Sequence, residues 1–211
     1  SLRVSENLFD DLSDRSEDWQ AAIDLELQAK PATYISHTPV IHRPFEEAAW
    51  DEAIGFPFRR WTSSRFSDGS FGVWYGADSV ETTIYETVHH WRHGLLDDAG
   101  FIEPGIRIER RVHLVRCDAA LIDLRNAASK YPMLVDKENY TLTHQVGGRL
   151  HHEGHPGLVT ISARCEGVVY AILNPAVLTD PRPHCYLSYI TTENGVDVER
   201  TPGKVLLSVE H

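Results

Sequence analysis

Four groups of residues in the chain have the type and spacing to do chemistry. In "SSRFSDGSFGVWYGADSVETTIYE", residues 63–86, Arg65 precedes a stretch broken by Gly69, Gly72 and Gly76, an aromatic-rich run follows, and Glu86 stands among threonines. In "LVTISAR", residues 158–164, Ser162 and Arg164 alternate with apolar neighbours. Two histidine groups, "HHWRH" (His89, His90, His93) and "HHEGH" (His151, His152, His155), complete the inventory. A carboxylate can stabilise a cation that develops during a reaction. Guanidiniums hold phosphate in bidentate geometry. Histidines four apart on a helix, as His89 and His93 would be, can share a metal ion. Neither histidine group matches H-E-x-x-H, however, and histidines near a helix end interact favourably with its dipole, so no metal is expected.

These residues act only if the backbone presents them. "SVETTIYETVHHWRHG" reads as a helix from a cap at Ser79 to Gly94. Val80, Ile84, Val88, Trp91 and Leu95 form its apolar stripe, and Thr82, Thr83, Glu86 and His90 lie roughly opposite. That second face suits a solvated surface or the lining of a cleft, and pattern alone does not separate the two. In "LVTISAR" alternation puts Val159, Ile161 and Ala163 on one face and Thr160, Ser162 and Arg164 on the other. Such a face can border an anionic ligand or belong to a half-exposed sheet. The glycines before the aromatic run serve a turn or a close backbone approach.

Around these segments the pattern is mostly strands. "FGVWYGA", "IRIERRVHLVRC", "ALIDLR", "LVTISAR", "GVVYAIL", "HCYLSYI" and "KVLLSV" read as strands, and "TPVIHRPF" as a short one closed by Pro44. "ENYTLTHQVGGRLHHEG" is a weaker helix interrupted by Gly147 and Gly148. "EEAAWDEA" reads as a short helix and "GFPFRRWTSS" as loop. Near the start, "SEDWQAAIDLELQ" is an amphipathic helix with Trp19, Ile23 and Leu27 in register. The expected class is α+β, a mixed, mainly antiparallel sheet with flanking helices. Residues 1–33 form an N-terminal helical extension and 34–211 the main domain.

Composition narrows the function. With 211 residues the chain fits one domain with an appended segment. A net charge of −11 argues against nucleic-acid binding, which needs clustered cations. No apolar run is long enough to span a membrane and no secretory pattern opens the chain. Three scattered cysteines, Cys117, Cys165 and Cys185, fit reduced thiols in a cytoplasmic protein, packed as small hydrophobes. There is no dinucleotide-fold fingerprint, P-loop or internal repeat.

The motifs taken in order resemble the RES-domain family over roughly residues 38–175. "VIHRPF" supplies Arg43, "SSRFSDG" Arg65, "VWYGAD" Tyr75, "TTIYETV" Glu86 and "LVTISAR" Ser162. Many members carry Gly-Arg-Trp-Asn at the second arginine, where this chain has Ser64-Arg65-Phe66-Ser67. Arg59, Arg60 and Arg65 therefore compete for that role, and Arg65 is nearest the strand.

The resemblance implies a fold similar to ADP-ribosyltransferase toxins and the toxin half of a bacterial toxin–antitoxin pair that consumes NAD+ as a substrate. It implies Glu86 at the ribose, Arg43 and Arg65 at the pyrophosphate, Tyr75 at the nicotinamide side, and Ser162 at the phosphate or nicotinamide ribose, with no metal. The expected outcome is NAD+ depletion by transfer of ADP-ribose to water or phosphate. Alternatives are a mono-ADP-ribosyltransferase acting on a cellular protein, which the N-terminal helix could help dock, a noncatalytic nucleotide-binding protein, and a metal hydrolase built on the histidines. The expected partner is an antitoxin with a helix-turn-helix domain, and the motifs leave open whether the toxin is a homodimer.

Overall fold

The computed structural model describes residues 50–92 and 103–210. The amphipathic helix near the start, the strand carrying Arg43, and the end of the long helix with Leu95 lie outside them. Among the described residues, a helical turn Asp51–Gly55 runs into α1 (Phe56–Arg59), then β1 (Trp74–Ala77) and α2 (Val80–His90). β2 (Arg107–Cys117), β3 (Ile122–Asp123), α3 (Thr141–His152), β4 (Gly157–Ile161) and β5 (Val168–Ile172) follow. The chain closes with β6 (Leu178–Thr191), β7 (Gly195–Thr201) and β8 (Lys204–Glu210).

The class is α+β, and the strands form two four-stranded sheets rather than one. The first has order β1-β5-β4-β3 and the second β2-β6-β7-β8. Among the described strands only the short β3–β4 pair is parallel. Helix α2 joins the two halves. Its Ile84, Val88 and Trp91 pack on Cys185, Leu187, Tyr189, Val196 and Val198 of the second sheet. Ser79 caps it, accepting a hydrogen bond from the Thr82 amide at 3.0 Å.

The first sheet is covered on both faces. Phe66, Phe71, Leu150, Leu158 and Ala171 form one apolar cluster. Trp50, Ile54, Ile172 and Leu178 form another, with Trp74 packed against it. The described elements include no helix long and apolar enough to cross a membrane.

Several sequence expectations change. "GFPFRRWTSS" is not all loop. Pro57 sits in the first turn of α1, where its missing N–H costs nothing. The strand expected over "FGVWYGA" forms a ladder only from Trp74. Before it, Gly72 lies against the α1 backbone, where a Cβ would fall 2.3 Å from the Pro57 carbonyl oxygen. The strands read from the sequence do not include β7, where Asp197 and Glu199 are poor strand formers. Pairing with β6 on one side and β8 on the other makes it a strand. Of the cysteines, only Cys185 is buried, while Cys165 is half-buried and Cys117 exposed.

Candidate active site

The segment 64–67 closes as a tight hairpin. The Ser64 amide donates to the Ser67 carbonyl at 2.8 Å, and the Ser67 amide returns a bond to Ser64 at 3.3 Å. Phe66 at its tip is fully buried, which leaves Arg65 facing a cavity of about 340 Å³. The Tyr75 hydroxyl braces this turn from β1. It lies 3.0 Å from the Ser64 Oγ and accepts the Phe66 N–H at 2.9 Å. Burial pushes the Tyr75 phenol up to about 12, so it stays protonated. Helix α3 supports the same turn, with His144 Nε2 2.8 Å from the Ser64 carbonyl. Gly147 lets α3 come this close, since a Cβ there would fall 1.9 Å from the Phe66 carbonyl oxygen.

Arg65 donates to the Asp136 carbonyl at 2.8 Å, and its guanidinium lies 4.7 Å over the Tyr140 ring. Burial draws its pKa down, but a guanidinium starts so high that it keeps its charge.

Glu86 projects from α2 into the same cavity. The Ser162 hydroxyl donates to its Oε1 at 2.7 Å and accepts the backbone N–H of Arg164 at 2.9 Å and of Cys165 at 3.3 Å. The Ser162 amide donates to the Gly167 carbonyl at 2.8 Å, closing the turn after β4. That turn docks on α2 because Gly167 has no side chain. A Cβ there would lie 2.1 Å from Thr82 Oγ1.

Arg164 donates to His89 Nε2 at 2.7 Å, the Lys137 carbonyl at 2.7 Å and the Tyr140 hydroxyl at 3.1 Å. The cavity therefore holds one carboxylate, tied to a serine, together with three arginines, Arg65, Arg110 and Arg164, of which Arg65 and Arg164 are fixed mainly by carbonyls and rings. This arrangement can bind an anionic ligand while setting negative charge beside a cation that forms on it.

A family model for the RES domain matches residues 38–192. The chain belongs to the RES domain family. That family is associated with toxin–antitoxin systems and with NAD, and its fold is related to that of ADP-ribosyltransferases. No curated protein matches the chain. Strands β7 and β8 extend beyond the RES match and complete the second sheet.

Four of the five RES motif residues named from the sequence, Arg65, Tyr75, Glu86 and Ser162, line this one cavity. The fifth, Arg43, lies outside the described residues. Of the three competing arginines, Arg65 alone lines the cavity. Arg59 pairs with Asp51 at 2.5 Å, and Arg60 lies over the Phe56 ring. The Tyr75 and Ser162 hydroxyls both hydrogen-bond within the protein.

Thr83, Glu86 and His90 line the cavity as their helix face suggested, but Thr82 is buried and bonds to Asp78 and Ser79. The alternating Thr160, Ser162 and Arg164 all line it. Arg164 stood out in that alternation without being given a role. Tyr140, in the loop before α3, had no local signal.

The histidine groups are separated. His89 and His90 line the cavity and His93 lies outside the described residues, while His151 stacks on Phe71 with ring centroids 4.2 Å apart. Among the described residues no three histidine, cysteine or acidic side chains converge to hold a metal.

Proposed function

We propose that this RES protein is the toxin of a bacterial toxin–antitoxin pair and cleaves the nicotinamide–ribose bond of NAD+, passing ADP-ribose to water or phosphate. The observation that carries the reading is Glu86, held by Ser162 in a cavity whose other charged groups include Arg65 and Arg164. The nicotinamide ring of NAD+ is cationic, so it departs as a neutral base with the electron pair of the C–N bond and needs no general acid. Positive charge then develops on the ribose, as in glycoside hydrolysis. The Glu86 carboxylate stabilises that charge, and Arg65 and Arg164 hold the pyrophosphate. The oxygen of the acceptor forms the new bond to the ribose and releases its proton to solvent.

The test is release of nicotinamide from labelled NAD+ by the purified protein, with a cell lysate added in parallel. Free ADP-ribose or its phosphorylated form is expected. Glu86→Gln is expected to lower the rate about 10²–10³-fold while the protein stays folded, the scale of one electrostatic group. Label retained on a protein band would instead make the protein a transferase, and near-normal turnover by the variant would overturn the role of Glu86. The antitoxin, a helix-turn-helix protein, is proposed to cover the cavity mouth. The antitoxin is expected to be encoded beside the toxin, and co-purification of the two with loss of NAD+ turnover checks this.

A further inference from the structure

Two adjacent histidines, His89 and His90, stand in the last turn of α2, and the NAD+ reading uses neither. Both line the cavity, but their surroundings differ. His89 Nε2 is engaged by the Arg164 guanidinium at 2.7 Å. His90 is exposed to water. Among the described residues its ring lies against His89, with centroids 5.7 Å apart, and enters no hydrogen bond.

Helical spacing sets His90 one turn after Glu86 on the same face of α2, with Cβ atoms about 5–6 Å apart. At that separation one water can bridge the imidazole and a ligand atom held at the carboxylate. The ring senses the charges of Glu86, Arg164 and Arg65, so it belongs to the same electrostatic site. Enclosure by the cavity walls draws its pKa below the ordinary histidine value; Glu86 opposes this, and Arg164 and Arg65 add to it. A helix C-terminus alone would favour the imidazolium. At neutral pH the ring is therefore neutral and keeps one nitrogen lone pair.

The other titratable groups of the lining are committed. Glu86 accepts from Ser162 and faces the ribose charge. The Tyr75 phenol stays protonated, and the Tyr140 hydroxyl accepts from Arg164. Arg65, Arg110 and Arg164 are guanidiniums, which accept nothing. Only His90 brings the cavity a basic nitrogen that no protein group occupies, among the described residues.

We propose that His90 is the general base that takes the proton of the acceptor, and that the acceptor is water. The assignment rests on the NAD+ reading, which sets Glu86 at the ribose. Nicotinamide departs with the electron pair of the C–N bond, and the water oxygen bonds the ribose carbon. One proton of that water passes to the His90 nitrogen, and the imidazolium returns it to solvent. The products are nicotinamide and ADP-ribose. An acceptor with no proton to lose, such as azide, gains nothing from the base.

His90→Gln keeps a polar side chain at an exposed position and should leave the melting temperature unchanged. At neutral pH it is expected to form ADP-ribose from labelled NAD+ about 10²-fold more slowly, the scale of a general base. Sodium azide should restore its nicotinamide release and yield ADP-ribosyl azide, while adding little to the unmodified protein. Hydrolysis by the unmodified protein should rise with pH through a midpoint below about 6.5, where the imidazolium loses its proton, and that midpoint should be absent from the variant. The proposal is overturned if the variant hydrolyses NAD+ normally, if azide leaves it slow, if the two pH profiles coincide, or if the unmodified protein passes ADP-ribose to phosphate or protein instead of water. Each of these outcomes leaves cleavage of NAD+ standing. An unmodified protein that releases no nicotinamide removes both.

Discussion

Ser162→Ala separates a residue that touches substrate from one that positions the residue that does. Ser162 is 8% exposed. A hydroxyl has one proton and two lone pairs. Here the proton goes to Glu86, and the oxygen accepts two backbone amides. The group is saturated within the protein, so its influence on a ligand must pass through Glu86.

Alanine removes a bond to a charged acceptor, worth about 1.5–3 kcal/mol, and strands two amides that water can partly reach. A net loss of about 2 kcal/mol is expected, which lowers the melting temperature of a chain this size by about 4–8 °C. In steady-state NAD+ turnover, kcat should fall about 10–100-fold with KM little changed, corresponding to about 1.4–2.7 kcal/mol of transition-state stabilisation. The double variant with Glu86→Gln should be no slower than Glu86→Gln alone, because the two residues act as one unit. A Ser162→Ala enzyme that loses only KM, or losses that multiply in the double variant, would refute the argument and give Ser162 its own contact with substrate.

The Tyr75 phenol, pushed up to about 12, sits above its unfolded value of about 10, so the stability it contributes is complete below pH ~10. That contribution declines as pH rises towards 12, by about 2.7 kcal/mol in all. An ultraviolet titration should show one late-ionising tyrosine that is missing in Tyr75→Phe, and its presence in that variant would contradict the assignment. Gly147→Ala forces α3 off the Arg65 turn and should cost ~1–3 kcal/mol in denaturant unfolding. Gly148→Ala, where a Cβ meets nothing within 4 Å, should instead add ~0.5–1 kcal/mol, and equal stabilities would remove the close-approach argument. Arg65→Lys keeps the charge and loses the fork, so KM for NAD+ should rise about tenfold. An unchanged KM would take the pyrophosphate away from Arg65.

The helix bearing Glu86 was legible because its two faces differ in chemistry. Ile84, Val88 and Trp91 recur at helical spacing and are buried, while Glu86 falls opposite them. The cavity-facing set Thr160, Ser162 and Arg164, in β4 and the turn after it, was legible by its alternation. Tyr140 was not, because nothing local in an irregular loop says which way a ring will turn. The paired roles of Tyr75 and Ser162 were hidden for a related reason. A hydroxyl in a sequence shows what it can donate, and only its neighbours in space show what it does donate to.

By itself the sequence determined the α+β class, the helix with an acid opposite its apolar stripe, and the ordered set of Arg65, Tyr75, Glu86 and Ser162. The class and the helix follow from local periodicity and residue type, which act within a few residues of chain, and the ordered set from the resemblance of the motifs to the RES-domain family. The tertiary structure decided that the strands divide into two sheets joined by α2. It also decided that Arg65 rather than Arg59 or Arg60 enters the cavity, and that Ser162 grips Glu86 across 76 residues of sequence. Such choices depend on which surfaces meet once the apolar faces are buried. At Gly147 they depend on the missing side chain that lets α3 approach the Phe66 backbone, and at Gly167 on the one that lets the turn after β4 rest on the Thr82 side chain.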